Sequence, residues 1–512
     1  MEDKTLTPDF VADVVRAMQK WDIQKCAVVV VPMEMGMGPP AGRFFGGRDA
    51  DQVTRRTAFP LASGAKHITA LALHLALTRL GLSFKTKVVD ILPEFGLQDG
   101  KEGKEVTVED LLCHRTGLPG WDGMYKPGLS EDFLNKIKHP PIPPLPPSGI
   151  RPFQYNSLMF DVAARIVQRL TDKRIDEFVR EEFFDPLQLK ASYHADRIEE
   201  KADGSWTRIG MGKAKVTEFP VDREVEISVE VKESGADIVE KGVEVDYGIE
   251  KCGEAWGAGR VWMNSDDLIR WLVCAPKMPG FDNVATPRST DPDDGLFFPD
   301  EAQGYGLGLR VFKHRGVDGY AHQIAWLPKL KAGFAVLSNS DVGGTFLRSL
   351  VACRLIEAAA DLEKKDWFDI VDARYTAYIS PQPWMDPISG SSLSNGNISP
   401  IAGKWAHPAY GTWMIWATDL VSVRPALGTL PYFPELSGPC KRIFTPVATV
   451  DGQDGEARYA GCYECKLGGK VYYGMPFEVV IRNEGGLMEV RGMSGAEGEG
   501  QDELCPLVFV RQ

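Results

Sequence analysis

The chain has 512 residues, too many for one ordinary core, and its balance of 44% hydrophobic and 25% charged residues excludes a disordered polymer, so two domains are the starting expectation. A formal net charge of -13 with no basic stripe argues against nucleic acid as a partner. The start, Met-Glu-Asp-Lys-Thr-Leu-Thr-Pro, has no basic stretch followed by an apolar one, and no apolar run reaches spanning length, so neither a secretory signal nor a membrane partner is expected.

Residues 8–20 carry Phe10, Val11, Val14, Val15 and Met18 at helical spacing, and a strand follows at 26–32. A Gly/Pro-rich stretch then runs to about 47. Next comes Phe59-Pro-Leu-Ala-Ser-Gly-Ala-Lys66-His-Ile, in which Ser63 and Lys66 stand one helical turn apart. Pro60 and Gly64 mark an abrupt entry, and Ile68, Leu71, Leu73 and Leu75 predict a mostly buried helix. A serine hydroxyl needs a partner to take its proton, and a lysine shielded from water can do so. The plain alternative for these four residues is a helix cap followed by a solvated lysine.

Further along, Thr107 with Asp110 three residues on predicts a capped helix start, and Pro140 to Pro147 predicts an extended loop. That loop delivers Tyr155 to the junction with an amphipathic helix at 158–170, where a phenol could relay a proton; the ordinary reading is a buried aromatic. Between about 203 and 252 lies an acidic insertion, read as shaping the site entrance, in which Val225, Ile227, Val229 and Val231 alternate with polar residues like a half-exposed strand. Strands return over 304–340, including His314-Arg315-Gly316-Val317, a run that could line a cleft and lend the Val317 N–H to an oxyanion. A helix is expected at 342–364 and a linker at 380–400. Beyond it, short aromatic runs broken by glycine suit a small antiparallel barrel.

Nine scattered cysteines fit a reducing, cytoplasmic setting, and the Cys462-x-x-Cys465 pair has no second pair at zinc spacing. The eight histidines form no ligand grouping, so no metal and no cofactor are expected.

In their order, Ser63-Gly-Ala-Lys66, Tyr155-Asn156-Ser157 and His314-Arg315-Gly316 resemble the three motifs of the serine beta-lactamase and penicillin-binding-protein superfamily, in its class C-like branch of esterases, transesterases and D-aminopeptidases. Asp110-Leu-Leu-Cys-His-Arg-Thr-Gly-Leu-Pro119, Ala258-Gly-Arg-Val-Trp-Met-Asn-Ser-Asp-Asp-Leu268 and Tyr305-Gly-Leu-Gly308 are similar to its supporting stretches. The resemblance spans about 10–365, and residues 400–512 look like the lipocalin-like barrel that some of these hydrolases append. It implies an α+β fold, an antiparallel sheet flanked by helices with a helical subdomain, arranged as a catalytic domain at 1–379, a linker at 380–400 and a barrel at 401–512.

The same resemblance implies that Ser63 attacks an ester, thioester or amide carbonyl while Lys66 and Tyr155 move the proton, leaving an acyl-enzyme. The backbone N–H groups of Ser63 and Val317 would hold the oxyanion, His314 would tune the electrostatics, and Asn156, Ser157 and Gly316 would contact substrate. Two departures stand out: Ser157 occupies the position of the usual asparagine, and the third motif is compressed, leaving His322 as a rival to His314. His314 is preferred because Gly316 and Gly319-Tyr320 then fall where relatives have them. The expected partner is a small-molecule acyl substrate, with an acyl acceptor or carrier-bound intermediate if the enzyme is an acyltransferase. Non-acyl chemistry or binding on the same fold is the different-class alternative.

Overall fold

The computed structural model describes residues 5–512 except 22, 34–38, 47–51, 99, 101, 126–128, 200–204, 207–213, 220–224, 230–242, 245–252, 292–302, 316, 322–323, 341, 380–402, 416–439, 447–456, 468–469, 483–485 and 492–505. The chain divides into two compact units, one of Met1–Thr86, Phe160–Tyr247 and Ala255–Tyr378, the other of Lys87–Met159, Gly248–Glu254 and Ile379–Gln512.

In chain order the first unit opens with helix α1 (Pro8–Lys20), where Thr7 caps the Phe10 N–H and proline occupies the first turn. Strands β1 (Lys25–Pro32), β2 (Ala41–Gly46) and the short β3 (Phe59–Pro60) lead to helix α2 (Lys66–Arg79). Helix α3 (Val108–Leu112) belongs to the second unit and has the expected capping box between Thr107 and Asp110. Helix α4 (Leu158–Thr171) follows, then strands β4 (Ala214–Phe219) and β5 (Val225–Val229) from the acidic insertion, strand β6 (Trp262–Met263) and helix α5 (Ser265–Cys274). Strands β7 (Ser289–Asp291), β8 (Gln303–Tyr305), β9 (Arg310–His314), β10 (Val317–Ala321), β11 (Ile324–Leu327) and β12 (Ala332–Ser338) precede helices α6 (Val342–Ala359) and α7 (Trp367–Ile379). The helix expected to run to 364 therefore ends at 359 and a second begins at 367.

Ten strands form one sheet in the order β5-β4-β2-β1-β12-β11-β10-β9-β8-β7. The paired strands are antiparallel throughout. Against one face lie α1 and α6, whose Phe10, Val14, Met18, Phe346 and Leu350 share a core with Val28, Phe312, Phe334 and Val336 of the sheet and with Trp367 of α7. Against the other face lies α5, where a side chain added at Gly333 would meet Leu272, and Trp326 of β11 donates its indole N–H to the Leu272 carbonyl at 3.0 Å. Sheet alternation thus sorts residues between two helical layers. The insertion strands lengthen the sheet at its β2 edge, and Ser205–Trp206 pairs separately with Val243–Glu244 as the other described part of that segment.

In the second unit, strands β13 (Gly403–His407), β14 (Gly411–Ile415), β15 (Cys440–Pro446), β16 (Ala457–Leu467), β17 (Lys470–Arg482), β18 (Leu487–Arg491) and β19 (Leu507–Arg511) make a seven-stranded antiparallel sheet in the order β14-β13-β19-β18-β17-β16-β15. Among the described residues β14 and β15 stand at the two ends of this sheet, and the segments 416–439, 447–456 and 492–505 of the expected barrel lie outside them. The linker expected at 380–400 lies outside the described residues.

Candidate active site

Ser63 sits in a single 3-10 turn, Ala62–Ala65, and α2 starts at Lys66, so the serine precedes the α-helix proper. Strand β3 pairs with β6 immediately before that turn, and the Leu61 N–H bonds the Val261 carbonyl at 2.8 Å. Ala62 is held at φ 42°, an uncommon value for a residue with a side chain, which turns the backbone sharply into the half-buried Ser63. Sharp entry and fixed helix start are what Pro60 and Gly64 foreshadowed.

Lys66 is fully buried, and its Nζ lies 3.0 Å from Ser63 Oγ and donates to the Ala258 carbonyl at 3.1 Å. The Phe160 ring lies 5.4 Å from the same nitrogen. One N–H engaged by a fixed carbonyl and a hydroxyl at hydrogen-bond distance is the geometry that orients an amine toward a serine proton. The carbonyl is itself anchored: the neighbouring Gly257 N–H donates to the buried Asp161 carboxylate at 3.0 Å, and the Gly257 carbonyl accepts from Thr69 Oγ1 at 2.7 Å. A Cβ at Gly257 would stand 1.9 Å from the Phe160 carbonyl oxygen, so only glycine fits there. Gly308, at φ +87°, presses on the start of α2 so closely that a Cβ would lie 2.7 Å from the Lys66 carbonyl carbon. Tyr305-Gly-Leu-Gly308 is therefore a backbone brace for the lysine.

Tyr155 is half-buried in the second unit and is gripped from both sides by His114. The Gln154 N–H bonds the His114 carbonyl at 2.8 Å, the Asn156 N–H bonds His114 Nδ1 at 3.0 Å, and the imidazole lies against the Tyr155 ring with centroids 4.3 Å apart. With Nδ1 accepting, the proton of a neutral imidazole sits on Nε2. His114 was in the supporting stretch read from sequence, yet its hold on Tyr155 was not. Its signal was a histidine beside Thr-Gly-Leu-Pro, the loop that Asn156 also touches.

Asn156 is engaged at both ends of its amide. Its side chain is fully buried and donates to the carbonyls of Leu118, at 3.2 Å, and Pro119, while its Oδ1 caps α4 by accepting from the Met159 N–H at 3.2 Å. An amide with both ends engaged this way staples a loop to a helix start. Ser157, also buried, directly precedes α4.

His314 lies in a different layer from Lys66. It is fully buried at the end of β9, on the same face as Phe312, with its ring 5.3 Å from Trp367 in the layer of α1, α6 and α7. The opposite face carries Trp326, which touches His67 beside Lys66. Alternation thus points His314 away from the lysine's layer. Arg315, at φ 48°, bonds the buried Glu357 carboxylate at 2.6 Å and the Glu363 carbonyl at 2.8 Å, so the turn is strapped to α6 and to the segment after it. Val317 stands opposite His314 across that turn. Gly316 and the rival His322 lie outside the described residues.

The structure brings together Ser63 and Lys66, with Ala258, Gly257, Asp161, Thr69 and Gly308 as the frame that sequence reading did not assign. Among the described residues no cluster of His, Cys, Asp and Glu could hold a metal, and no helix is long and apolar enough to cross a membrane. The chain is 24% identical over 451 residues, 79% of its length and 77% of the relative's, to a protein of Aspergillus campestris named unguisins hydrolase. It is 25% identical over 314 residues, 56% of its length and 68% of the relative's, to the N-acetylmuramyl-L-alanine amidase of Bacillus subtilis. Its fold is similar to that of the octameric penicillin-binding protein homologue of Pyrococcus abyssi, with a TM-score of 0.51 at 14% identity over 98% of this chain and 99% of that one. The Beta-lactamase family model matches residues 42–352, more than half of the chain and the whole frame around Ser63 and Lys66, and the chain accordingly belongs to the beta-lactamase family of serine hydrolase-like proteins.

Proposed function

We propose that the protein hydrolyses an ester, thioester or amide of a small-molecule metabolite through an acyl-enzyme on Ser63. The observation that carries this reading is the buried Lys66, 3.0 Å from Ser63 Oγ with one donor engaged by the Ala258 carbonyl. Ser63 Oγ attacks the carbonyl carbon, and its proton passes to the Lys66 amine. The tetrahedral intermediate collapses when the carbon–leaving-group bond breaks, and the leaving group takes a proton through Tyr155. Water then attacks the ester carbonyl, and the carboxylic acid departs as Ser63 regains its proton. The Ser63 N–H, in the turn at the head of α2, is one proposed donor to the oxyanion.

A metabolite substrate is supported by the relative named for unguisins, and an amide by the relative named as an amidase. A cytoplasmic setting is part of the same proposal, supported by the free cysteines Cys26, Cys113, Cys274 and Cys353. Intact-mass spectrometry after exposure to a fluorophosphonate and to a panel of activated acyl esters tests the reading. One adduct is expected on the wild type and none on Ser63→Ala. An amine or alcohol acceptor that diverts the acyl group from water would make the enzyme an acyltransferase. A folded wild type that takes up no acyl probe would point to binding or non-acyl chemistry.

A further inference from the structure

His67 directly follows the catalytic lysine and is fully buried among apolar side chains. Its Nδ1 lies 2.6 Å from the Gly64 carbonyl oxygen, and its Nε2 lies 2.8 Å from the indole nitrogen of Trp271 on α5. A carbonyl only accepts and an indole N–H only donates, so the imidazole is fixed as one neutral tautomer, protonated on Nδ1 and bare on Nε2. The ring is further held edge-on to Trp326 of β11, with centroids 5.3 Å apart, and tilted against Trp271 at 5.7 Å.

What this tautomer grips is the turn that carries the nucleophile. Gly64 lies between Ser63 and Lys66, and as a glycine it has no side chain through which packing could fix its peptide plane. The imidazole supplies that restraint from inside, and Trp271 supplies the donor that keeps the imidazole from turning over. We infer that His67 is a positioning residue for acyl transfer, orienting Ser63 against Lys66 through the Gly64 carbonyl. The inference rests on Ser63 and Lys66 being the reacting pair. Burial disfavours the imidazolium and lowers the His67 pKa to about 4, in keeping with a ring whose two nitrogens meet one acceptor and one donor.

The test compares His67→Asn, His67→Gln and His67→Phe by fluorophosphonate inactivation, which separates the maximal rate from the half-saturating concentration. Asparagine places an N–H near the Nδ1 position and can keep the Gly64 bond, whereas glutamine reaches toward Trp271 and loses it. Phenylalanine keeps the aromatic packing and loses both. The maximal acylation rate is expected to fall about tenfold or more in His67→Gln and His67→Phe, with the half-saturating concentration unchanged, and to be largely rescued in His67→Asn. Equal losses in the asparagine and glutamine variants, or a wild-type rate in His67→Phe, would overturn the inference. Trp271→Phe removes the donor that fixes the tautomer together with part of the ring packed on His67, so if the His67 variants fail to fold, a wild-type rate in Trp271→Phe overturns it and a several-fold drop in maximal rate alone upholds it. Ser63→Ala is run beside them: an adduct surviving there defeats the acyl-enzyme reading itself and leaves the His67 variants no reaction to position.

Discussion

Burial pushes the His67 imidazole down to about 4 and the Asp267 carboxyl up to about 6, the latter despite bonds from the Lys190 and Asn264 backbones, with Asp266 adding repulsion and Arg270 opposing it. The two shifts have opposite consequences in acid. Between pH 6.5 and 4 the unfolded chain protonates His67 and the native one does not, so stability falls as pH drops through that window, by up to about 3 kcal/mol. Between about pH 6 and 4 the native Asp267 takes up a proton the unfolded chain does not, so stability rises as pH drops, by a similar amount of about 3 kcal/mol. Urea midpoints measured from pH 7 to 4.5 are expected to fall more steeply in Asp267→Asn than in wild type and less steeply in His67→Phe; parallel curves would refute both assignments. Gly308 gives a second prediction at this scale. Alanine there would strain a φ of +87° and meet the Lys66 carbonyl carbon at 2.7 Å, a backbone atom that cannot swing aside. Gly308→Ala is expected to cost about 2–4 kcal/mol in a denaturant titration and to slow acylation of the folded remainder.

Asn156 joins the start of α4 to the Leu118–Pro119 loop, and the same loop region contains His114, the partner of Tyr155. Asn156→Ala removes a helix cap and abandons buried carbonyls, an expected loss of about 2–4 kcal/mol. Asn156→Asp keeps the cap on Met159 but turns an acceptor toward two acceptors, so it is expected to restore only part of that loss. Full restoration would mean the loop bonds are idle. These residues also mark where sequence reading succeeds and fails. Helix α1, strand β1 and the Thr107 capping box were legible because periodicity and capping are local rules that Phe10, Val14 and Asp110 state in the sequence itself. Motif order singled out Ser63, Lys66 and Tyr155, and the structure sets the first two 3.0 Å apart. The same order read Asn156 as facing substrate, whereas Asn-Ser-Leu-Met also reads as a helix cap, the part its bond with the Met159 N–H plays. The layer that His314 enters was not legible because both faces of its sheet are covered by helices, so hydrophobic alternation around it carries no sign of which one it faces.

Across the whole chain, the second unit contains Tyr155 together with the C-terminal sheet. Within it the buried Trp121, whose indole N–H bonds the Pro141 carbonyl at 3.2 Å, meets Tyr410 of the β13–β14 turn edge-on with ring centroids 6.3 Å apart. Trp121 lies two residues past Pro119, one of the carbonyls Asn156 holds. The turn between β13 and β14 therefore touches the loop that also contains His114, the partner of Tyr155. Truncation after Pro381 would expose a tryptophan with no accessible surface in the full chain, and limited proteolysis is expected to shift to residues 114–125, with slower acylation. Unchanged cleavage and rate would show the sheet to be dispensable to this loop. The frame around Ser63 and Lys66 has a different kind of consequence. Gly257 touches the Phe160 carbonyl and Gly308 touches the Lys66 backbone, main chain against main chain. The proposed nucleophile, framed in this way, is largely insulated from drift in nearby side chains, so selection or an engineer can rewrite what the pocket recognises while the proposed reaction is inherited intact.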